Sequence, residues 1–199
     1  MEFILATGNP HKVEEINELL KDAPISAIAA PEKVEVVEDG TTFEQNAYKK
    51  AMAYYKKFAM PALADDSGLV MPALPDILGI HSARFAPDYP NYMDKIGELL
   101  KIIDAKNVKD RSAYFACVLC FVLSEKEVYF FEGRVHGQIG SEIRGSDGFG
   151  YDPIFEADGQ DGKTLAEIPE WKMENSHRAK AAKEAVNFFK GKNSIAKMT

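Results

Sequence analysis

The first twenty residues constrain the fold more than any other part of the chain. Residues 3–6 form a short apolar run, and Thr7-Gly8-Asn9-Pro10 follows it, which is typical of a buried strand ending in a turn. Proline suits the first turn of a helix, and apolar residues then recur at helical spacing: Val13, Ile16, Leu19 and Leu20. A strand, a turn and a helix in succession predict an α/β domain.

The rest of the chain predicts further elements. Residues 34–37 are expected to form an irregular strand, and Thr42 with Gln45 forms a capping-box pattern before a second helix. A buried strand is expected at 62–64, ending at Asp65-Asp66-Ser67-Gly68. A third helix is predicted over 91–103, a β-hairpin over 112–131, and a last helix capped by Ser176 with Ala179, Ala182, Val186 and Phe189 on its inner face.

No linker or repeat divides the chain, so residues 1–199 are expected to form one domain. The hairpin is expected to build a second lobe, with a cleft between it and the first.

The charge balance excludes some classes of partner. A net charge of -7 and a pI of about 5.2 disfavour binding to a nucleic-acid polymer, although a small anion can still sit in a locally basic site. No apolar stretch is long enough for a signal peptide or a membrane span, so we expect a cytoplasmic protein without membrane contact.

The two cysteines, Cys117 and Cys120, form a C-x-x-C spacing inside an apolar, β-like run. In a strand their side chains point to opposite faces, and no second ligand pair is spaced for zinc. We therefore expect buried, unreactive thiols rather than a redox pair or a metal site.

The turn at residues 7–12 is the first candidate site. Its glycine and the following helix N-terminus favour an anion, and Lys12 lies in the first helical turn, where the helix dipole disfavours a lysine. A bound phosphate would resolve that conflict. A plain turn with a solvated lysine remains the alternative.

Asp65 and Asp66 are the second candidate. Two adjacent carboxylates repel each other unless a cation lies between them, and carboxylate oxygens suit Mg²⁺. One of them can also take a proton from an attacking water. An acidic turn pair without a metal is the alternative.

Two later segments also carry chemistry. Residues 145–153 combine glycines with Phe149 and Tyr151, whose rings suit stacking on a nucleobase; a tight turn with core aromatics is the alternative. Lys172, His177 and Arg178 gather positive charge around a helix start, where an anion fits; the alternative is a capped helix with surface charges.

Together these segments resemble one family. The run TGNPHK (7–12), TFEQNAYKKA (42–51), ADDSGL (64–69), GIHSARFA (79–86), DGFGYDPIF (147–155) and SHRAKA (176–181) is similar, in this order, to the Ham1/RdgB-type inosine triphosphate pyrophosphatases. The match spans nearly the whole chain. It implies an elongated α/β fold with a central mixed β-sheet flanked by helices, an active-site cleft between two lobes, a homodimer and a requirement for Mg²⁺.

The resemblance also implies roles for single residues. Asp66 is the expected general base, and the expected metal ligands are Glu38, Asp65 and Asp66, with Glu35 as an alternative to Glu38. The expected substrate-binding residues are Thr7, Gly8, Asn9, Lys12, Lys50, Ser67, Phe149, Gly150, Tyr151, Asp152, Lys172, Ser176, His177 and Arg178.

The expected reaction is cleavage of a non-standard purine nucleoside triphosphate (ITP, dITP or XTP) to the monophosphate and pyrophosphate. Arg178 can only donate hydrogen bonds, so it is expected to contact the 6-oxo group that adenine lacks. A Maf-type pyrophosphatase and a non-catalytic nucleotide sensor are the alternatives. The SHR and DGFGYDP segments disfavour the first, and the acidic pair with three lysines disfavours the second.

Overall fold

The computed structural model describes the backbone of residues 1–196 and the side chains of residues 1–192. It is an α/β structure with one mixed sheet. The strands are β1 (Glu2–Leu5), β2 (Ser26–Ala29), β3 (Ala62–Val70), β4 (Ser112–Ser124), β5 (Glu127–Ile139) and β6 (Phe155–Ala157). The helices are α1 (Pro10–Leu19), α2 (Phe43–Phe58), α3 (Tyr92–Ala105), α4 (Pro169–Asn175) and α5 (His177–Ala196). Short 3₁₀ helices cover Gly79–Arg84, Asp152–Ile154 and Leu165–Glu167.

The six strands form one sheet in the order β2-β1-β3-β4-β5-β6. β1 pairs in parallel with both β2 and β3, and β6 pairs antiparallel to β5. The sheet is therefore mixed. Among the described residues, no helix combines the length and apolarity that a membrane span needs.

The chain divides into two compact units. Within the described backbone, the first contains residues 1–66, 117–133 and 177–196, and the second contains residues 67–116 and 134–176. The chain passes from one unit to the other inside β3, β4 and β5, and again between α4 and α5.

The first unit has an apolar core on each face of its strands. Alternate residues of β1 point to opposite faces: Phe3 and Leu5 pack with α1 and α5, whereas Ile4 packs with α2. This alternation is the period of two that a strand imposes on its side chains. Helices therefore cover both faces of the strands in this unit.

The second unit has its own core. Leu69 and Met71 pack with Leu99 of α3 and with Phe155 of β6, and all four are fully buried. The rings of Phe115 and Phe155 meet edge to face, with centroids 4.8 Å apart. Such pairs stabilise a core by about 0.5–1.5 kcal/mol beyond their area.

A capping box before α2 would contain two hydrogen bonds between Thr42 and Gln45, and the structure contains one of them. The Thr42 hydroxyl accepts from the Gln45 backbone N–H at 3.2 Å. The Gln45 side chain accepts instead from the Thr41 backbone N–H, at 2.8 Å. The helix still begins at Phe43, as the pattern predicts.

The strand expected at residues 34–37 was wrong. That segment has no strand structure, whereas β2, which was not predicted, is a strand and pairs with β1. Val34 and Val36 pack against the first unit's core, and the Val34 N–H donates to the Tyr54 hydroxyl at 3.1 Å. Side-chain burial explains these valines without strand pairing.

The predicted end of the third strand was also wrong. β3 continues through Asp65 and Asp66 to Val70. Acidic residues are disfavoured in strands, but here each carboxylate meets a cationic side chain, so the strand does not have to stop.

The hairpin is confirmed, but its expected role as a separate lobe was wrong. Only Glu125 and Lys126 connect β4 to its neighbour β5. Each of these strands has 13 residues, and both run through the two units.

The thiols agree with expectation. Cys117 and Cys120 are free and buried, and they belong to the cores on opposite faces of the first unit. Burial raises the pKa of the Cys120 thiol to about 12 and that of Cys117 well above its usual value. Both therefore stay protonated at neutral pH.

Candidate functional site

The turn between β1 and α1 places Lys12 against a buried carboxylate. Asn9 caps the helix, with its side chain accepting from the His11 N–H at 3.0 Å, and Pro10 occupies the first turn. The Lys12 ammonium contacts Asp65 Oδ1, and its side chain is only 15% exposed. The lysine is thus not a solvated surface residue.

Asp65 is completely buried and surrounded by donors. Its Oδ1 accepts from Lys12, and its Oδ2 accepts from Arg178 Nε at 2.8 Å and from the Cys117 thiol at 3.1 Å. Burial by itself would raise the pKa of this carboxyl, but Arg178 and Lys12 hold it well below its usual value. Asp65 is therefore ionised at neutral pH and lies between two cations.

Arg178 lies at the start of α5 and is 1% exposed. Its Nε donates to Asp65, and its Nη1 contacts Glu15 on α1. Burial would lower the pKa of the guanidinium, but the charges of Asp65 and Glu15 raise it. The interpretation of Arg178 as the reader of the purine 6-oxo group gains no support from this geometry, because these donors already bind carboxylates.

Asp66 points to the other face of β3. Its Oδ1 accepts from Lys50 Nζ of α2 at 2.8 Å, and Glu38 Oε2 accepts from the same ammonium at 2.9 Å. Asp65 and Asp66 therefore do not share one cation as neighbours in a turn would, since alternation along β3 separates them.

The two oxygens of Asp66 differ. Asp66 is 8% exposed, and its Oδ2 is buried without a hydrogen-bond partner among the described residues. Burial raises the pKa of this carboxyl above its usual value, and Lys50 offsets only part of that rise. Burial also works against the charge of Lys50, but Asp66 and Glu38 raise its pKa, so the ammonium persists.

The two candidate glutamates lie in different surroundings. Glu38 is one-third exposed and reaches the Lys50–Asp66 pair, whereas Glu35 is 85% exposed and pairs with Lys33 at 2.9 Å. The geometry favours Glu38 over Glu35.

The carboxylates of this unit can be tested against a divalent cation. In the described part of the chain, no group of three or more His, Cys, Asp and Glu side chains is arranged as a metal site. Mg²⁺ does not require such a group, because it is commonly held by one or two carboxylates together with substrate phosphates and water. Asp66, one of whose oxygens has no partner among the described residues, and Glu38 beside it fit that donor set.

In the second unit, the glycine-rich turn holds Phe149 over a buried ion pair. Gly148 and Gly150 have φ of 77° and 67°, a region that favours glycine. The Asp152 carboxylate accepts from the Phe149 N–H at 2.8 Å and from Lys172 Nζ at 2.9 Å. Lys172 lies on α4, a helix that was not predicted, and its ammonium sits 4.7 Å from the centre of the Phe149 ring.

Tyr151 has a different environment from Phe149. Its ring is 3% exposed in the core of the second unit, and its hydroxyl donates to the Ser82 carbonyl at 2.8 Å. The structure gives this ring a core position rather than a stacking surface.

The other residues predicted to bind substrate lie in the turn after β1, within β3 and at the start of α5. Thr7 is partly buried, and its hydroxyl accepts from the Asn9 N–H at 3.1 Å, while Gly8 is exposed. Ser67 follows Asp66 within β3. Ser176 and His177 are both buried at the junction of α4 and α5, and α5 begins directly after Ser176, as expected.

Glu15 and Cys117 both contact the Asp65–Arg178 pair, and neither was predicted to contribute to the site. Glu15 follows Lys12 by three residues on α1, so both lie on one helix face. The spacing from Lys12 could therefore have identified Glu15 from the sequence. No sequence pattern indicated the contact between Cys117 and Asp65, because it depends on the pairing of strands.

A glycine in β5 sets the position of the first turn of α5. A Cβ on Gly133 would overlap the His177 carbonyl oxygen and lie 2.6 Å from the Ala181 backbone nitrogen. Backbone atoms cannot move aside as a flexible side chain can. Gly133 therefore allows the close approach that places His177 and Arg178.

We expect Gly133→Ala to lower the free energy of unfolding by about 1–3 kcal/mol, the usual effect of overpacking. Urea denaturation followed by circular dichroism measures it. Gly191→Ala is the control, because Gly191 lies in α5 and nothing is within 4 Å of a Cβ added there. It is expected to stabilise by about 0.5–1 kcal/mol. Equal changes in the free energy of unfolding for the two variants would contradict the close approach of Gly133 to the backbone of α5.

Comparison with known proteins gives a consistent result. The model of the Ham1 family matches residues 3–188. A dITP/XTP pyrophosphatase of Aquifex aeolicus is 40% identical over 200 residues, covering 96% of this chain and 97% of that protein.

Two solved structures are also similar. A HAM1 protein from Coxiella burnetii superposes with a TM-score of 0.86 at 36% identity, covering 96% of this chain and 99% of that one. The Staphylococcus aureus Ham1 protein gives a TM-score of 0.83 at 34% identity, covering 96% and 100%.

Proposed function

This chain belongs to the Ham1 family, and on that premise we propose that it hydrolyses non-canonical purine nucleoside triphosphates (ITP, dITP and XTP) to the monophosphate and pyrophosphate. Relatives about 40% identical over nearly their whole length are named dITP/XTP pyrophosphatases. The observation in this chain that carries the proposal is Asp66, a buried carboxylate with one oxygen on Lys50 and the other unpartnered among the described residues.

The reaction assigned to these residues is a single displacement. A water oxygen attacks the α-phosphorus while Asp66 takes its proton. The bond from the α-phosphorus to the bridging oxygen breaks, and pyrophosphate leaves with the electron pair. Lys12 and Lys50 stabilise the negative charge of the phosphates, and burial strengthens this effect because water screens less there.

Mg²⁺ is the proposed cofactor, held by Glu38 and Asp66. It would neutralise triphosphate charge and draw electrons from the phosphorus that is attacked. Asp65 was expected to be a third ligand, but both of its oxygens already accept from cationic side chains. We assign it instead the task of holding Lys12 and Arg178 in place.

Phe149 is proposed to stack on the purine base. Its ring is partly buried, and the Lys172–Asp152 ion pair holds the surrounding turn. Selection of a 6-oxo purine is assigned to backbone groups of the 149–152 segment. Adenine reverses the pattern of donors and acceptors, and a mismatch that leaves polar groups unpaired lowers affinity strongly. Thr7, Gly8, Asn9, Ser67, Gly150, Ser176 and His177 are proposed to complete substrate binding.

Pyrophosphate release from dITP, XTP, ITP, ATP and GTP, each with Mg²⁺, tests the substrate class. We expect a preference of about a hundredfold in kcat/KM for the first three over ATP, the result of two mismatches of about 1.4 kcal/mol each. Equal rates with ATP would show a general triphosphatase and contradict the proposal.

The position of attack has its own test. Hydrolysis of ITP in ¹⁸O-labelled water is expected to place the label in IMP and none in pyrophosphate, since water attacks the α-phosphorus. Mass spectrometry of both products measures this. Label in pyrophosphate would mean attack on the β-phosphorus, and release of labelled inorganic phosphate would mean attack on the γ-phosphorus.

We further propose a cytoplasmic homodimer, on the basis of family resemblance. Light scattering coupled to size-exclusion chromatography gives the mass directly; a monomer is 22.1 kDa. Elution at that mass at micromolar concentration would contradict the dimer.

A further inference from the structure

Asn46 is a buried polar residue that the proposed reaction does not use. It lies in the first turns of α2, and it is 1% exposed. Its Oδ1 accepts from the Gly40 N–H at 2.8 Å, whereas its Nδ2 is buried with no hydrogen-bond partner among the described residues. An apolar residue of similar size would avoid that unpaired donor, so packing alone does not explain an asparagine here.

Gly40 is fitted closely against the same helix. It is buried, and a Cβ at this position would lie 2.6 Å from Asn46 Oδ1 and 2.8 Å from Gln45 Cβ. The side chain of Asn46 and the backbone of Gly40 therefore form a tight clamp. This clamp holds the loop that precedes α2.

The clamped loop carries Glu38. Glu38 is two residues before Gly40, and its carboxylate reaches Lys50 Nζ at 2.9 Å. Lys50 follows Asn46 by four residues, so the two side chains lie on one face of α2, and the same ammonium binds Asp66. Through Gly40, Asn46 fixes the segment from which Glu38 approaches Asp66.

We propose that Asn46 is a positioning residue that keeps the Glu38 carboxylate beside Lys50 and Asp66 by holding the backbone of Gly40. This inference rests on the proposed function, because Glu38 is there a ligand of the divalent cation. The residue acts through Glu38 and does not itself contact the reacting atoms.

The test variant is Asn46→Leu, which removes the acceptor and the unpaired donor at nearly constant volume. Amide hydrogen exchange of Gly40, followed by NMR without metal or nucleotide, is expected to accelerate by about two- to tenfold, the equivalent of one lost hydrogen bond. The Mg²⁺ concentration for half-maximal pyrophosphate release from dITP is expected to rise by about 10–100-fold, as for residues that orient metal ligands. At saturating Mg²⁺, kcat should stay close to that of the wild type.

Two further variants separate positioning from general damage. Asn46→Asp keeps the acceptor, so the slow exchange of the Gly40 amide should be retained. Asn187→Leu makes the same substitution at an exposed position of α5 and should change neither readout. If Asn46→Leu does not fold, Gly40→Ala carries the test, because its Cβ displaces the loop while Asn46 remains; it should raise the Mg²⁺ requirement.

The outcomes separate the two proposals. An unchanged Mg²⁺ requirement in Asn46→Leu (or in Gly40→Ala if the first does not fold) overturns the positioning role, whether or not Gly40 exchange changes. Unchanged Gly40 exchange in Asn46→Leu overturns the clamp. Absence of pyrophosphate release by the wild-type enzyme overturns the proposed function instead, and the Gly40 exchange measurement still tests the clamp.

Discussion

Replacing Asp66 by asparagine is expected to lower kcat with dITP and Mg²⁺ by at least about 10²–10⁴-fold, the usual loss on removing a general base. The amide keeps the size of the side chain but cannot take a proton from water, and it is a weak ligand for a divalent cation. The fold should be retained, because the amide oxygen of asparagine can still accept from Lys50 Nζ and Glu38 remains an acceptor for the same ammonium. Pyrophosphate release measures activity, and circular dichroism checks the fold.

Asp39→Asn is the matched control for this change. Asp39 lies next to Glu38 in the same loop, but its side chain is 66% exposed and pairs with Lys49 at the surface. Exposed pairs contribute little, so this variant should keep the wild-type rate. An Asp66→Asn enzyme with wild-type kcat would remove Asp66 from the mechanism.

The dependence of kcat/KM on pH is a second test of the role of Asp66. Burial raises the pKa of Asp66 above its ordinary value of 3.8, with Lys50 opposing the shift. A general base must be ionised, so kcat/KM for the wild-type enzyme should fall at acidic pH as this carboxyl takes up a proton. The residual rate of Asp66→Asn should lack that acidic limb.

Arg178→Met is expected to lower the free energy of unfolding by about 3–5 kcal/mol, the usual result of removing one partner from a buried ion pair. It leaves Asp65 buried with one fewer cation, and it removes the contact that Arg178 makes with Glu15. Urea denaturation measures the loss. The rates of the folded variant with dITP and with ATP should change by the same factor, because this arginine is not assigned to recognition of the base.

Arg134→Met serves as the comparison, since Arg134 is exposed on β5. Surface substitutions of this kind usually change stability by less than about 0.5 kcal/mol. If Arg178→Met kept wild-type stability and reduced the preference for dITP over ATP, Arg178 would be the base reader that the sequence suggested.

The ion pairs of Asp65 also predict the direction of acid sensitivity. The folded-state pKa of Asp65 lies well below 3.8, with burial opposing and Arg178 and Lys12 causing the decrease. Its contribution to stability is therefore present above the unfolded-state pKa and is lost as the pH falls towards the folded-state value. Arg178→Met should weaken this pH dependence.

Local patterns in the sequence identified most of the helices and the segments of the candidate site. Asn9 and Pro10 predicted the start of α1, and Thr42 predicted the start of α2, because caps and first-turn residues act over three or four positions. The family also followed from short motifs, which depend on residue identity and order. These features need no knowledge of distant contacts.

Several features could not be predicted in this way because they depend on pairing across long separations. β2 forms because Ser26–Ala29 lies alongside β1, although its own sequence has weak strand character. β3 continues through two aspartates because cations from distant segments meet them. The division of the β4–β5 hairpin between two units likewise depends on contacts made along the whole length of both strands.

The sequence by itself determined which residues are candidates for the site, but the tertiary structure decided what each one contacts. Asp65 and Asp66 are adjacent in the chain, and their spacing suggested one shared cation. Because β3 continues through them, alternation turns Asp65 towards Lys12 and Arg178 and turns Asp66 towards Lys50 and Glu38. The physical reason is that charge and residue type are local properties, whereas burial and ion pairing arise only when distant segments pack together.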